Sequence, residues 1–168
     1  MTLDEILYRN ALRFPTKAAF VMGSASQTWR ETDERVTRLA NALIQHAVRP
    51  GDRIAVLLPN CPEYFEIYFG CARAGAVAVP LNYRLTGKEL AQIVAHAEPT
   101  LFIVGAEFLA QMRELKTLIS SLCPVWVLGG EPPAGMGCYE AAIDSADAQH
   151  APVPVCDTDP CAIFYTRG

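Results

Sequence analysis

Cys161-Ala162-Ile163-Phe164-Tyr165-Thr166-Arg167-Gly168 is an apolar run that passes into a small-residue turn where this 168-residue sequence ends. An apolar run of about four to eight residues without alternation suits a strand covered on both faces, as in a helix-flanked parallel sheet. A small-residue turn after such a strand can bring backbone N–H groups close to an anion. These residues therefore predict a buried strand over Ala162–Tyr165 that opens a phosphate-holding loop. Most of that loop lies beyond the sequence.

Further strands are predicted at Ala18–Met22, Arg53–Leu58, Val77–Pro80, Thr100–Val104 and Val125–Leu128. Four helices are predicted before and between the earlier strands, and their starts share one device. Thr2-x-x-Glu5, Thr28-x-x-Glu31, Asn60-x-x-Glu63 and Thr86-x-x-Glu89 each place a capping side chain three residues before a glutamate. The cap oxygen takes a free N–H of the first turn and the glutamate reaches back to the cap's own N–H. This role makes Glu31, Glu63 and Glu89 structural rather than catalytic.

Val36, Leu39, Ala40, Leu43, Ile44 and Ala47 follow the spacing of one buried helical face, and Leu90, Ile93, Val94 and Ala97 repeat it. Tyr64, Phe65, Tyr68 and Phe69 form an aromatic stripe that reads as core. Gly75 permits the tight passage from a helix into the strand that Pro80 closes. Alternating strands and helices predict an α/β fold with a helix-flanked, largely parallel sheet. Residues 129–160 are rich in Gly and Pro and read as an irregular connecting segment, broken by a short helix near Tyr139–Ser145.

Composition narrows the functional classes. Net charge is −4 with no basic run, which argues against nucleic acid or anionic membrane as a main partner. The six cysteines (Cys61, Cys71, Cys123, Cys138, Cys156, Cys161) include no Cys-x-x-Cys and accompany three histidines, so they read as structural thiols and no metal site is expected. Cys61, Cys71 and Cys161 fall inside predicted apolar elements, where a free thiol behaves as a small hydrophobe. His46, His96 and His150 have no evident partners in the sequence. The acidic start Thr2-Leu3-Asp4-Glu5 is unlike a signal peptide, and no apolar stretch nears the roughly 20 residues of a membrane helix. A cytoplasmic location is the expectation.

Three stretches, in order, resemble the adenylate-forming superfamily of acyl-CoA synthetases, peptide-synthetase adenylation domains and luciferases. They are Arg49-Pro50-Gly51-Asp52-Arg53-Ile54-Ala55-Val56-Leu57-Leu58-Pro59-Asn60, then Arg73-Ala74-Gly75-Ala76-Val77-Ala78-Val79-Pro80-Leu81-Asn82, then Asp159-Pro160 with the terminal run. The last is similar to the strand that leads into the family's Tyr-Thr-Ser-Gly-Thr-Thr-Gly phosphate loop. Thr28–Glu31 and Asp33–Val36 also match the family's early helix.

The resemblance implies the N-terminal subdomain of the large AMP-binding domain over residues 1–168, with the remaining large domain and a C-terminal domain lying downstream. It implies that Thr166 and Gly168 open the loop around the ATP phosphates, with Arg167 standing where the family usually has serine. It implies a CoA contact for Arg84, whose plain reading is a solvated arginine before a helix. The implied parent reaction joins a carboxylic acid to CoA with ATP and Mg²⁺. No catalytic residue is expected in this stretch, and no ligand is expected to bind it tightly alone.

The first functional expectation is thus an N-terminal part of an acid–CoA ligase, inactive alone and prone to self-association through an open sheet edge. The alternative is a free-standing interaction or regulatory module that pairs with a partner chain. A dinucleotide-binding oxidoreductase is disfavoured, since no Gly-x-Gly-x-x-Gly follows a strand.

Overall fold

The computed structural model describes residues 1–119, 122–149 and 153–166. Helix α1 (Leu3–Arg13) precedes an antiparallel hairpin, β1 (Ala18–Met22) and β2 (Ala25–Thr28). Helix α2 (Trp29–Gln45) then leads into β3 (Arg53–Leu57), α3 (Pro62–Ala74), β4 (Val77–Pro80), α4 (Gly87–Ala97) and β5 (Leu101–Gly105). A short 3₁₀ turn, α5 (Leu109–Leu118), β6 (Val125–Leu128), β7 (Gly137–Cys138) and α6 (Tyr139–Ser145) follow.

Strands β3 to β7 form a five-stranded sheet in the order β4-β3-β5-β6-β7, and every pair in it is parallel. Side chains along each strand alternate between two cores. Ile54, Val56, Leu101, Ile103 and Trp126 meet α2, α3 and α6, whereas Ala55, Leu57, Phe102, Val104, Val125 and Val127 meet α4 and α5. Cover on both faces explains why these strands read as unbroken apolar runs.

Three capping boxes form as the sequence predicts, at Thr2/Glu5, Thr28/Glu31 and Thr86/Glu89. The one expected at Asn60/Glu63 does not. The N-cap of α3 is Cys61, which makes no side-chain cap bond, and Pro62 begins the helix. Proline has no N–H to satisfy there and its fixed φ already suits the helix, so the start needs no box. In α2, Val36, Leu39, Ala40 and Leu43 are buried, but Ile44 in its last turn and Ala47, beyond its end at Gln45, are exposed. Gly75 ends α3 at φ 71°, and a Cβ there would lie 3.2 Å from Pro50. The left-handed φ at Gly75 allows the tight passage from α3 into β4 that the sequence predicts.

The main departure concerns Ala162–Tyr165. It is not a strand buried on both faces: a single parallel bridge joins Ala162 to Ala78 on the outer edge of β4. The Ala78 N–H donates to the Cys161 carbonyl at 3.0 Å, and the Ile163 N–H donates to the Ala78 carbonyl at 2.9 Å. The next outward-facing donor on β4 would belong to Pro80, which has none, so the ladder stops after one step. Phe164 is 67% exposed and Cys161 is also exposed, so neither is a core residue.

Within residues 129–149 the helix predicted near Tyr139–Ser145 forms as α6, and a short strand that the sequence reading does not include, β7, joins it. Helix α6 buries Tyr139 and Ile143 against α2 and the sheet. Two arginine networks, buried around Arg73 and half-buried around Arg35, tie the helices on this face. From α3, Arg73 Nε donates to Asp4 of α1 at 2.6 Å, while its two Nη atoms reach Asp33 and Thr37 of α2. From α2, Arg35 pairs with Glu66 of α3 and Glu140 of α6, and Tyr139 donates to Glu66 at 3.3 Å. Burial pushes the Glu66 carboxyl up, against the pull of Arg35.

Candidate functional site

Parallel α/β sheets present ligands beyond the carboxyl ends of their strands. At that end of β4 the chain enters a tight turn: Asn82 Oδ1 accepts from the Arg84 N–H at 3.0 Å, and the Asn82 carbonyl accepts from the Leu85 N–H at 3.0 Å. Helix α5 braces this turn. Gln111 Nε2 donates to the carbonyls of Tyr83 (2.9 Å) and Leu85 (3.1 Å), and the Tyr83 ring stacks on Phe108 with centroids 5.5 Å apart.

The bridge at Ala78 and Ala162 sets what lies opposite. Four residues further along each segment come Asn82 and Thr166. These two share a groove of about 370 Å³ with Leu85, Glu89, Gln92 and Ile93 on the α4 side and Tyr165 beside Thr166. Thr166 is exposed and offers a hydroxyl at this rim. Arg167 and Gly168, the other residues predicted to shape the phosphate loop, lie outside the described residues.

Arg84 is exposed on the braced turn, with its guanidinium carbon 5.9 Å from the centroid of the Tyr83 ring. The adjoining N-terminus of α4 is already capped. Glu89 Oε2 accepts from the Thr86 N–H at 2.9 Å, and Thr86 Oγ1 accepts from the Glu89 N–H. A carboxylate thus sits at the positive end of the helix. Arg84 on the turn and Lys88 in the first turn of α4 are the exposed cations beside this capped end.

His96, in the last turn of α4, has a partner that the sequence did not indicate. Its Nδ1 lies 2.7 Å from the Tyr165 hydroxyl, and the two rings meet edge to face with centroids 5.7 Å apart. His46 is also partnered, with Nδ1 2.9 Å from the Ala42 carbonyl and its ring edge-on to Trp126. His150 lies outside the described residues. Helix α5, with Gln111, and the His96–Tyr165 pair are the elements of the site that sequence reasoning missed. Only the apolar spacing of Leu109, Met112 and Leu115 offered a signal for the helix.

Three thiols, Cys61, Cys71 and Cys123, are poor nucleophiles in this setting. Burial, with a contribution from Glu63, pushes Cys61 up to about 12. Burial alone raises Cys71 to about 12, and burial raises Cys123 to about 11. Among the described residues no three His, Cys, Asp or Glu side chains gather as a metal site requires. No helix among them is long and apolar enough to cross a membrane.

Comparison with known proteins bears on the family and the fold. The family model described as AMP-binding enzyme matches residues 7–168. Over 160 residues the chain is 38% identical to a feruloyl-CoA synthase of Amycolatopsis sp, covering 95% of this chain and 30% of that protein. Over 148 residues it is 32% identical to a crotonobetaine/carnitine–CoA ligase of Salmonella heidelberg, covering 84% of this chain and 28% of the relative. In fold it matches the anthranilate CoA ligase AuaEII in complex with anthranoyl-AMP, with TM-score 0.94 at 24% identity over 100% of this chain and 32% of that one. The N-terminal domain of FACL13 from Mycobacterium tuberculosis matches with TM-score 0.83 at 25% identity, covering 99% of this chain and 42% of that domain. The chain spans about 30% of the length of the curated relatives it matches.

Proposed function

The chain belongs to the AMP-binding enzyme family, and on that premise we propose that it forms the N-terminal part of an ATP-dependent acid–CoA ligase. The observation that supports this most strongly is the 38% identity to a feruloyl-CoA synthase across 95% of the chain. In the proposed reaction a carboxylate oxygen attacks the α-phosphorus of ATP, and the bond to pyrophosphate breaks. The CoA thiol then attacks the acyl carbon of the adenylate, giving a thioester and AMP. Bound Mg²⁺ would offset negative charge on the phosphates.

The described residues fit only the margin of such a site. Thr166 would donate its hydroxyl to an ATP phosphate oxygen, and Gly168 would continue the loop. Arg84 would meet a CoA phosphate from the turn that Gln111 holds. The groups that perform the chemistry would come from the rest of the polypeptide, so the 168 residues alone are proposed to be inactive. Cytoplasmic location belongs to the same reading.

A second reading, an interaction module that pairs with another chain, is favoured by one feature. The outer edge of β4 carries a single bridge and leaves Phe164 exposed. The experiment that separates the readings is CoA-dependent release of AMP by the complete polypeptide, tested with aromatic and aliphatic carboxylic acids. Acid-dependent AMP release supports the ligase; none with any acid supports the module.

A further inference from the structure

We propose that His96 is a positioning residue for ATP binding, acting through Tyr165 on Thr166; this rests on the ligase reading above. The segment that carries Thr166 packs Ala162 and Tyr165 against the two cores but is weakly held by the sheet ladder. Its backbone meets the sheet at one bridge, Ala78 to Ala162, and Pro80 forbids the next step. Beyond that bridge, Ile163 and Phe164 are exposed, and the Phe164 ring only stacks loosely on Tyr68 at 6.4 Å between centroids. The first firm polar anchor after the bridge is the Tyr165 hydroxyl on His96 Nδ1 at 2.7 Å. Thr166 is the next residue.

His96 is placed for this task by helix geometry. Glu89 and Gln92 line the groove beside Thr166, and His96 follows them on the same side of α4 at helical spacing. The capping box fixes the N-terminal end of α4, and its buried residues Leu90, Val94 and Ala97 fix its rotation on the sheet. The helix is therefore a rigid support, and His96 extends its hold to a segment that the ladder does not secure. Without the bond, the segment spends less time with Thr166 at the groove. A ligand that binds only the competent arrangement then loses apparent affinity in proportion to that fraction.

One hydrogen bond of ordinary net strength shifts the equilibrium between the competent and displaced arrangements about fivefold, the largest fall it can cause in that fraction. His96→Ala in the complete polypeptide is therefore expected to raise KM for ATP by up to about fivefold, with kcat within about twofold of the parent. His96→Asn, which returns an amide near the position of Nδ1, is expected to restore most of the loss. Tyr165→Phe removes only the hydroxyl and should reproduce His96→Ala, and the double variant should be no worse than either alone. Tyr165→Phe also serves where His96→Ala folds poorly.

An active parent whose KM for ATP is unchanged in both single variants overturns the inference. So does a fall in kcat and melting temperature with KM unmoved, the mark of a merely structural role. A parent that shows no acid-dependent turnover overturns the ligase reading, and this inference with it.

Discussion

Arg73 reaches Asp4 across the first and third helices, with the guanidinium side chain 2% exposed and its Nε 2.6 Å from the carboxylate. The same group bonds Asp33 and Thr37, so one side chain joins α1, α2 and α3. Removing one partner of a buried ion pair strands the others, at a cost of about 3–5 kcal/mol. Arg73→Met should lower unfolding free energy by about 3 kcal/mol, the low end because both aspartates keep some water contact. Urea denaturation measures it.

Glu66 makes a prediction in pH. Burial raises its folded pKa, so the folded chain binds its proton more tightly than the unfolded chain. Between the ordinary glutamate value of about 4.3 and the raised folded value, the native state holds more proton and stability falls as pH rises. Glu66→Gln should remove that contribution to the slope. Urea midpoints collected from about pH 4 to 7 test this, and an unchanged slope in the variant would count against it.

The helix starts separate a cap that exists from one that only looks like it. Thr86→Ala should destabilise the fold by about 1 kcal/mol through loss of the cap. Asn60→Ala should change stability by less than about 0.5 kcal/mol, because α3 begins at Pro62 without a side-chain cap. Thermal unfolding of the two variants side by side is sufficient.

The exposed Phe164 predicts behaviour of the isolated chain. An open edge with an apolar residue 67% exposed invites pairing with another copy. The 168-residue chain should therefore sediment as a concentration-dependent mixture, and Phe164→Asp should shift it toward monomer. A parent that is monomeric at all concentrations would contradict this.

The sheet and most helices were legible because each strand carries residues for two cores and each threonine cap announces its helix. Ile54 and Ala55, facing opposite layers, show why β3 reads as an unbroken apolar run. What was hidden has specific causes. Asn60 and Glu63 have the spacing of a capping box, but Pro62 removes the need for one. Helix α5 has no capping side chain to mark it. Ala162–Tyr165 has the composition of a buried strand, yet its neighbour on β4 ends in a proline.

The candidate site was half legible for a similar reason. Thr166 and Arg84 stand in recognisable motifs, whereas His96 meets Tyr165 across 69 positions and Gln111 reaches Leu85 across 26. Such pairs leave no local pattern. They become visible only once α4 and α5 have a common place against the sheet.

The central claim is that this chain is the front of an adenylate-forming ligase whose chemistry lies elsewhere in the polypeptide. Isotope exchange between pyrophosphate and ATP tests it most directly, measured with a panel of carboxylic acids for the complete polypeptide and for residues 1–168. Acid-dependent exchange by the complete polypeptide and none by the 168 residues is the predicted result. Exchange by the 168 residues alone, or none by the complete polypeptide with any acid, would contradict the account.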